Sequence, residues 1–438
     1  MTDLQQTAHD IQKLALDLGA DEVAISISQS ISTELTQREG VLEKTQQSNS
    51  LGVGIELLVD GKFSGHSASD VRLNSLKPFV QRAIEATRFL EEDPHRVLPS
   101  LEEMGSASVN LDVNDPIWET CSPEDRRNKL NRLEESSHAA ARHLDVRSIT
   151  HHVWDSKVRS HVCASNGYSN GWERTSFGMG GEITLVDGDR LPEAYDYRSA
   201  RHQSDLPTTV ELSSELIKRA ESRIGSSGIR SARMPILLRN FAANKLIGTF
   251  LSPLNGKAIY EQRSCLLDKL GEQVAASNLS IIDNPILPRA MGSRPYDGDG
   301  FETRPRTIVE NGILNMYLLN LYNARRLKCA PTMGGGSNIC IKPSDLSPID
   351  VIQDLPQCIV VEGFLGGNAN PITGDFSYGI SGRYFEKGEY VQGISEMNIS
   401  GNIIEVMKSF EAAANDVWTY SSYRTPSLLF GNVQCSGV

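Results

Sequence analysis

The chain has 438 residues, of which 39% are hydrophobic and 22% are charged, and its formal net charge is −12. This length is too great for one simple core, so two or three domains are expected. The acidic balance argues against direct nucleic-acid binding, which normally needs a basic surface, and no apolar run is long enough to span a membrane.

The N-terminal residues, Met1 to Gln5, show neither the basic segment nor the apolar segment of a secretory signal. We therefore expect a cytoplasmic protein. The seven cysteines lie at least eleven residues apart, so the sequence contains no CxxC metal motif. We interpret them as reduced thiols that pack as small apolar side chains.

Residues 1–200 are predicted to form an α/β domain. Apolar residues at helical spacing predict helices over 3–18, 73–87 and 122–144, and alternating patterns predict strands over 22–66 and 146–187. We expect the helices to cover one face of a mainly antiparallel sheet.

Two further segments of this domain are less regular in pattern. Residues 96–121 are predicted to be linker-like. The dipeptides Asn166-Gly167, Asn170-Gly171 and Asp187-Gly188 are interpreted as turns that separate the later strands.

Residues 201–438 are predicted to form a sheet-rich, barrel-like domain with helical insertions, which makes the fold class α+β. A helix over 210–224 leads into this domain, and helices are also predicted over 240–251 and 265–275. The predicted strands and hairpins are Met234–Leu238, the hairpin around Asn311-Gly312 with strands 307–309 and 313–318, Gln357–Leu365, and the hairpin around Lys387-Gly388.

Histidine is confined to the first half of the chain. All nine histidines lie at or before His202, so the 236 residues from Gln203 onward contain none. A zinc site there would need cysteine or carboxylate ligands, and a serine or cysteine nucleophile would lack its usual base. The second half is therefore closed to the commonest hydrolytic chemistries.

The segment from Gly363 to Gly401 has the densest motif in the chain. Six glycines, two asparagines, a proline and an aspartate lie between strand-like runs over its first twenty residues. A loop of this composition exposes backbone N–H and C=O groups that can bind an extended peptide or an anion. The alternative is sheet packing, with the glycines at bulges and corners.

Two other clusters have both a functional and a structural interpretation. The run Met333–Ser337 resembles an anion-binding nest but lacks the Lys-Ser/Thr of a phosphate-binding loop, so a flexible surface loop is favoured. The residues His151, His152, Asp155 and His161 could bind a metal across neighbouring strands, but a solvent-exposed strand face is favoured because the spacing matches no standard site.

Ten short segments occur together in a specific order along almost the whole chain. They are Gly19–Val23, Glu39-Gly40, Ser67–Asp70, Ser165–Ser169, Tyr195–Arg201, Leu267–Val274, Gly292–Asp297, Thr373–Ser377, Ser400–Asn402 and Asn415-Asp416. In this order they resemble the TldD/TldE family, whose TldE branch is also called PmbA and described as a modulator of DNA gyrase.

The resemblance implies a division of labour between two branches. A TldD-like chain is a metallopeptidase whose metal is held by an HExxxH helix at the start of the second domain and by a cysteine near the C-terminus. Here the corresponding segment, Asn240–Phe250, has no histidine or glutamate, and Asn415–Pro426 has no cysteine. The resemblance therefore indicates the TldE-like branch, with no catalytic residue and no metal or other cofactor in this chain.

We accordingly predict the non-metal-binding subunit of a heterodimeric TldD/TldE-type metalloprotease. A TldD-like partner would supply zinc and the general base, and this chain would shape the cleft that binds unfolded or flexible peptides as an added strand. The residues predicted to form or support the groove are Asn368, Thr373, Gly374, Asp375, Phe376 and Ser377.

The alternative prediction belongs to a different class of function. It is a binding protein that modulates DNA gyrase or another target without proteolysis. Binding of gyrase in the absence of any peptidase partner would favour this alternative.

Overall fold

The computed structural model describes residues 3–105 and 109–437. The α-helices within these residues are α1 (Leu4–Asp17), α2 (Leu73–Thr87), α3 (Pro123–Ala140), α4 (Thr209–Glu221), α5 (Ala243–Leu251), α6 (Gly256–Tyr260), α7 (Leu321–Arg326), α8 (Pro348–Ile352) and α9 (Ile403–Lys408). None of these described helices is both long and apolar enough to cross a membrane.

The strands of the described residues form three sheets. In chain order they are β1 (Glu22–Arg38), β2 (Val41–Val59), β3 (Lys62–Ala68), β4 (Val146–Ala164), β5 (Ser169–Leu185), β6 (Glu193–Ala200), β7 (Ala232–Leu238), β8 (Ile281–Asp283), β9 (Arg306–Glu310), β10 (Ile313–Leu314), β11 (Ile339–Cys340), β12 (Cys358–Ala369), β13 (Asp375–Glu386), β14 (Glu389–Asn402), β15 (Phe410–Ala413), β16 (Tyr423–Arg424) and β17 (Leu428–Ser436).

The first sheet is antiparallel throughout, with strand order β3-β2-β1-β4-β5-β6. The odd-numbered side chains of β1, such as Ile25 and Leu35, lie on the face that the helices cover. Helices α1 and α2 pack on one end of this face, and α3 and α4 pack on the other end. The predicted arrangement of helices on one face of an antiparallel sheet is therefore confirmed.

The C-terminal half contains a closed barrel. Strands β14, β13, β12, β7 and β17 are neighbours in this order, and β17 pairs back to β14 through residues such as Ile399 and Cys435. β15 extends the sheet beyond β17, and a separate sheet of short strands has the order β10-β9-β8-β11-β16. The predicted α+β class with a barrel-like second domain is confirmed.

The two halves of the chain contact each other directly. Gly105 N donates to Gly300 O at 2.8 Å, and Tyr322 Oη donates to Asp93 Oδ2 at 2.8 Å. Helix α4 falls within the predicted domain 201–438, yet Leu216 packs on the first sheet. The domain limits at 200 and 201 stay a prediction.

The predicted helix over 265–275 is wrong. This segment consists of turns, with Leu266, Val274 and Ala275 buried. Its apolar spacing is helical, but Asp268 and Gly271 have φ angles of +57° and +79°. Two residues in the left-handed region interrupt any right-handed helix, so the apolar residues reach the core from turns instead.

Other local predictions also need correction. Asn170-Gly171 lies inside β5 rather than at a turn, and the strand after Asn311-Gly312 ends at Leu314. Residues 106–108 of the predicted linker 96–121 lie outside the described residues. The remainder is anchored rather than linker-like, because Asp115 N donates to Thr175 Oγ1 at 2.8 Å.

The histidine-rich face of β4 is covered by helices, so the predicted solvent-exposed face is wrong. His151 and Asp155 are 0% and 2% exposed, and both lie under α3. His161 lies on the same face under α1, whereas His152 points to the opposite face, where it contacts Thr36. Strand alternation places His152 on the opposite face from the other three, and each buried side chain has a structural partner.

Arg126 is the charged anchor between α3 and the sheet. Its Nε and Nη2 atoms donate to the two oxygens of Asp155 at 2.5 and 2.9 Å, and both side chains are almost fully buried. Removal of one partner leaves an unpaired charge in the interior, which is more costly than loss of an exposed pair.

We expect Arg126→Gln to lower the free energy of unfolding by about 3–5 kcal/mol. The neighbouring Arg127 is exposed and provides the control. Arg127→Gln should change the free energy of unfolding by less than about 0.5 kcal/mol. Urea denaturation followed by circular dichroism measures both values. Equal effects of the two substitutions would contradict the assigned role of the buried pair.

His151 gives the fold a dependence on pH. Its Nε2 atom lies 2.9 Å from Ser137 Oγ, and burial lowers the pKa of the imidazole to about 4. The unfolded chain takes up this proton near its ordinary pKa of about 6.5, whereas the folded protein resists it. Stability is therefore fully present above about pH 6.5 and is lost as the pH falls toward 4.

We expect His151→Gln to weaken the loss of stability between about pH 7.5 and about pH 5. As the pH falls, the free energy of unfolding of the wild-type protein should decrease by up to about 1.4 kcal/mol more per pH unit than that of this variant. Urea denaturation at both pH values tests this, with His95→Gln as a control at a part-exposed histidine. Parallel pH profiles for wild type and His151→Gln would refute it.

Candidate functional site

Helix α5 packs on the barrel through one face only. Ala243, Leu246, Ile247, Phe250 and Leu251 are buried in the main core, at the i, i+3, i+4 and i+7 spacing of an amphipathic helix. The opposite face carries Asn244, Lys245, Gly248 and Thr249, which line a cleft.

The cleft consists of three adjoining cavities that share α5 residues. The central cavity, of about 520 Å³, lies between α5 and the turn that joins β12 to β13. It shares Asn244 and Lys245 with a cavity of about 350 Å³, and Gly248 and Ser252 with a cavity of about 380 Å³. We call this continuous feature the α5 cleft.

The glycine-dense segment forms a hairpin wall of the cleft rather than a long loop. Strands β12 and β13 pair from Cys358 to Ala369, with register shifts near Gly363 and Gly366, so only residues 370–374 form the turn. The register shifts confirm glycines at bulges, and the binding interpretation of this segment stays a prediction. At Gly382 a Cβ atom would lie 2.0 Å from Val360 O, which explains the need for glycine in that strand.

Hydrogen bonds from three segments hold the turn in place. Gly374 N donates to Asn370 O at 2.8 Å, and Ile403 N donates to Gly374 O at 2.7 Å. Asn402 Nδ2 donates to Thr373 O at 2.8 Å, and Cys265 N donates to Pro371 O at 2.8 Å. The turn therefore presents a fixed surface to the cleft.

The predicted groove residues occupy three different environments. Gly374 lines the central cavity, and Thr373 and Asp375 flank it in the turn, where Asn402 Nδ2 donates to Asp375 Oδ1 at 3.2 Å. The remaining three are further along the hairpin, where they lie outside the lining of the cleft: Asn368, Phe376 and Ser377.

Those three residues differ in exposure. Asn368 and Ser377 face each other across β12 and β13 and are exposed. Phe376 is buried in the barrel core and stacks on Tyr378 with ring centroids 5.4 Å apart. Its place indicates support of the hairpin, and the binding role of the whole set stays a prediction.

The sequence interpretation missed the residues of α5 and β13 that line the central cavity. The hydroxyl groups of Thr249 and Tyr378 are 2.7 Å apart, and Lys245 Nζ lies 4.6 Å from the centroid of the Tyr378 ring. The available signal was the narrow polar face of α5, because four polar or small residues at helical spacing interrupt an otherwise apolar helix.

The cavity of about 350 Å³ is rich in charge. Asp196, from β6, pairs with Arg198 at 2.6 Å and with Arg219 at 3.4 Å. Glu362, from β12, pairs with Arg383 at 2.6 Å. Burial lowers the pKa of Arg219, whose guanidinium carbon lies 3.7 Å from the centroid of the Phe241 ring.

The residues at the cleft do not suit a zinc ion. Asn244, Lys245 and Thr249 have the i, i+1, i+5 spacing of an HExxxH motif, and all three face the central cavity. An amide and a hydroxyl are poor zinc ligands, and an ammonium group repels the ion. Within 3–105 and 109–437, no three His, Cys, Asp or Glu residues are grouped so that they could hold a metal ion.

The run Met333–Ser337 does not form an anion nest, and its flexibility stays a prediction. Arg306 Nη2 donates to the carbonyl oxygens of Gly334 and Gly335 at 3.0 and 2.9 Å, and the same guanidinium pairs with buried Asp283. Two of its carbonyl groups thus face a cation. The run forms one wall of the cavity of about 380 Å³, which is the third cavity of the α5 cleft.

Models of one protein family match two parts of the chain. Residues 231–437 match the C-terminal domain of the PmbA/TldA metallopeptidases, and residues 23–87 match domain 1 of the same proteins. Together these matches cover more than half of the sequence. The match over residues 23–87 ends with α2, and the match over residues 231–437 begins just before β7.

Similar proteins extend over nearly the full length. Metalloprotease PmbA of Escherichia coli is 26% identical over 97% of this chain and 94% of its own, and a PmbA homologue of Buchnera aphidicola is 28% identical over 99% and 97%. A crystal structure from Bacteroides thetaiotaomicron, described as a candidate modulator of DNA gyrase, is 29% identical over both full chains with a TM-score of 0.94. TldE from Thermococcus kodakarensis shares the fold, at 19% identity over 98% of this chain and 100% of that one, with a TM-score of 0.87.

We expect Gly374→Ala to lower the free energy of unfolding by about 1–2 kcal/mol. Gly374 has a φ angle of +83°, and a Cβ atom there would lie 3.1 Å from Asn402 Nδ2. As the control, Gly65→Ala meets no atom within 4 Å and should be nearly neutral. Urea denaturation compares the two, and equal stability would contradict the strain assigned to the turn.

Proposed function

The chain belongs to the PmbA/TldD/TldE metallopeptidase family, and we propose that it is the non-metal-binding subunit of a heterodimeric metalloprotease. Its TldD-like partner carries the HExxxH helix, the zinc ion and the general base. The α5 cleft of this chain binds unfolded or flexible peptides and presents them to that partner. The proposal places no catalytic residue in this chain.

One observation carries this proposal. Three α5 residues that have the spacing of an HExxxH motif face a substrate-sized cleft, but they are Asn244, Lys245 and Thr249. A cleft that is large enough for a substrate but has no metal-binding side chains is better suited to binding a peptide than to cleaving it. The names of the similar proteins, which include metalloproteases, support a role in proteolysis.

The geometry suits an extended peptide. The cleft runs across α5 through three cavities and is walled by a fixed turn and by the pinned run Met333–Ser337. Asn244 and Thr249 offer side-chain hydrogen-bond partners for a peptide backbone, and the exposed Pro371 offers an apolar surface. A folded domain is too large for this cleft, which supports the preference for flexible segments.

The second candidate is a non-proteolytic protein that modulates DNA gyrase or another target. The name of the Bacteroides thetaiotaomicron structure favours it. Purified chain without any peptidase partner would then bind gyrase and alter DNA supercoiling. This outcome, together with failure to bind a TldD-like chain, would replace the first proposal.

We expect peptide cleavage only when this chain and an HExxxH-bearing partner are combined. Affinity-tagged chain should retain the partner in a pull-down, and casein-derived peptides incubated with zinc should be cleaved by the complex. Strong metal-dependent cleavage by this chain alone would reject the proposal.

A cleft-filling substitution tests the position of the peptide. Gly248 lies in α5 between the central and third cavities, and a Cβ atom there meets only the hydroxyl end of Tyr423, at 3.2 Å. Gly248→Leu should preserve or raise the thermal midpoint, because leucine is a better helix former than glycine. It should lower kcat/KM of the complex at least about 10-fold, mainly through KM.

The matched control places the same residue on an exposed helix face far from the cleft. Lys13→Leu on α1 should leave kcat/KM unchanged. If Gly248→Leu keeps full activity while the complex forms normally, the peptide does not occupy the α5 cleft.

A further inference from the structure

One end of the α5 cleft is positively charged, although the whole chain has a net charge of −12. This end is the cavity of about 350 Å³ that lies between β6 and α4 on one side and β12 and α5 on the other. The charged residues that line it are Asp196, Arg219, Arg223, Lys245 and Glu362.

The two carboxylates of this cavity are neutralised by neighbouring arginines. Asp196 is 1% exposed and pairs with Arg198 and Arg219. The side chain of Glu362 is 6% exposed and pairs with Arg383 at 2.6 Å, with Arg239 at 4.0 Å. Both acidic groups therefore already have cationic partners, and the remaining cations are in excess.

Arg223 and Lys245 are these remaining cations. Neither forms an ion pair or a side-chain hydrogen bond with the residues that the structure describes, and Arg223 Nε is buried without an acceptor. Burial lowers the pKa of Arg223 more than the nearby Glu362 carboxylate raises it, which reflects the cost of holding a desolvated cation beside an anion that is already paired with Arg383. An incoming carboxylate would remove that cost.

The walls of the cavity suit a peptide side chain beside the charge. The aromatic residues that line it are Tyr195, Tyr197, Phe241, Phe364 and Trp418. The cavity shares Asn244 and Lys245 with the central part of the cleft. Its volume admits a short piece of chain, and the acidic surface elsewhere disfavours a long polyanion such as a nucleic acid.

We propose that this end of the α5 cleft binds a carboxylate group of a bound peptide, with Arg223 and Lys245 as its charge partners. The inference rests on the proposed function, because it assigns the chemistry of a peptide that the cleft already holds. The carboxylate is either the C-terminus of the peptide or the side chain of an aspartate or glutamate.

Three fluorescein-labelled peptides of one flexible sequence distinguish these sources. The first has a single glutamate and an amidated C-terminus, the second replaces glutamate by glutamine and has a free C-terminus, and the third has glutamine and an amidated C-terminus. Fluorescence anisotropy with the full-length chain should show at least about 10-fold tighter binding for one or both carboxylate peptides than for the third. The tighter peptide identifies the source of the carboxylate.

Variants of the two cations locate the effect. Arg223→Gln and Lys245→Gln should each bring the ratio between the affinity for the carboxylate peptide and the affinity for the neutral peptide toward one. Arg223→Lys should retain most of this preference for the carboxylate peptide. Lys218→Gln removes the same charge from α4 at a side chain that is 66% exposed and outside the cavity, so it should keep the wild-type ratio. Two independent cleft variants keep the test valid if one fails to fold.

The outcomes separate this inference from the proposed function. Equal binding of all three peptides by the wild-type chain would overturn the inference while leaving the peptide cleft intact. An equal fall in the ratio for Lys218→Gln and Arg223→Gln would also overturn it, because the effect would then be one of net charge. Binding of no peptide, by the chain or by its complex with a TldD-like partner, would remove the proposed function itself.

Discussion

The packing of α5 on the barrel core is the contact on which the cleft depends. Leu246, Ile247 and Phe250 are buried among the strands, which fixes the rotation of the helix about its axis. Because only one rotation buries these residues together, the polar face with Lys245 and Thr249 must point toward the hairpin turn. The barrel closes through the pairing of β14 with β17, and the hairpin turn that forms the facing wall is held by hydrogen bonds from Asn402, Ile403 and Cys265.

Charged groups join the two halves of the molecule at one end of this cleft. Asp196 lies on the first sheet and Glu362 on the barrel, and each is held by arginines in a largely buried setting. Arg219, at the end of α4, stacks on Phe241 just before α5. The contact of Arg219 with Phe241 therefore helps to position the first sheet against the barrel, and Arg219 also contributes to the potential inside the cleft, so structural and binding roles are linked at this residue.

Local patterns predicted most elements because they depend on near neighbours in the chain. The alternation of β1 and the capped, amphipathic pattern of α3 were sufficient for strand and helix. The patterns failed where a distant contact decided the outcome. Asn170-Gly171 has turn chemistry, but its backbone pairs with His161 and Val162 of β4, and ladder hydrogen bonds keep it extended. Of the predicted groove residues, Gly374 lines the central cavity, and the binding role of the set stays a prediction.

The sequence by itself determined which side chains the second half of the chain can offer. The absence of histidine after His202, and of histidine and glutamate in the segment that forms α5, follows from residue identities that no fold can change. Only the tertiary structure decided which remaining groups meet. Arg223 follows α4, whereas Lys245 lies on α5, and no periodicity in the sequence relates them. They converge because the first sheet and the barrel pack side by side, and long-range packing of this kind depends on the shape of whole surfaces rather than on local spacing.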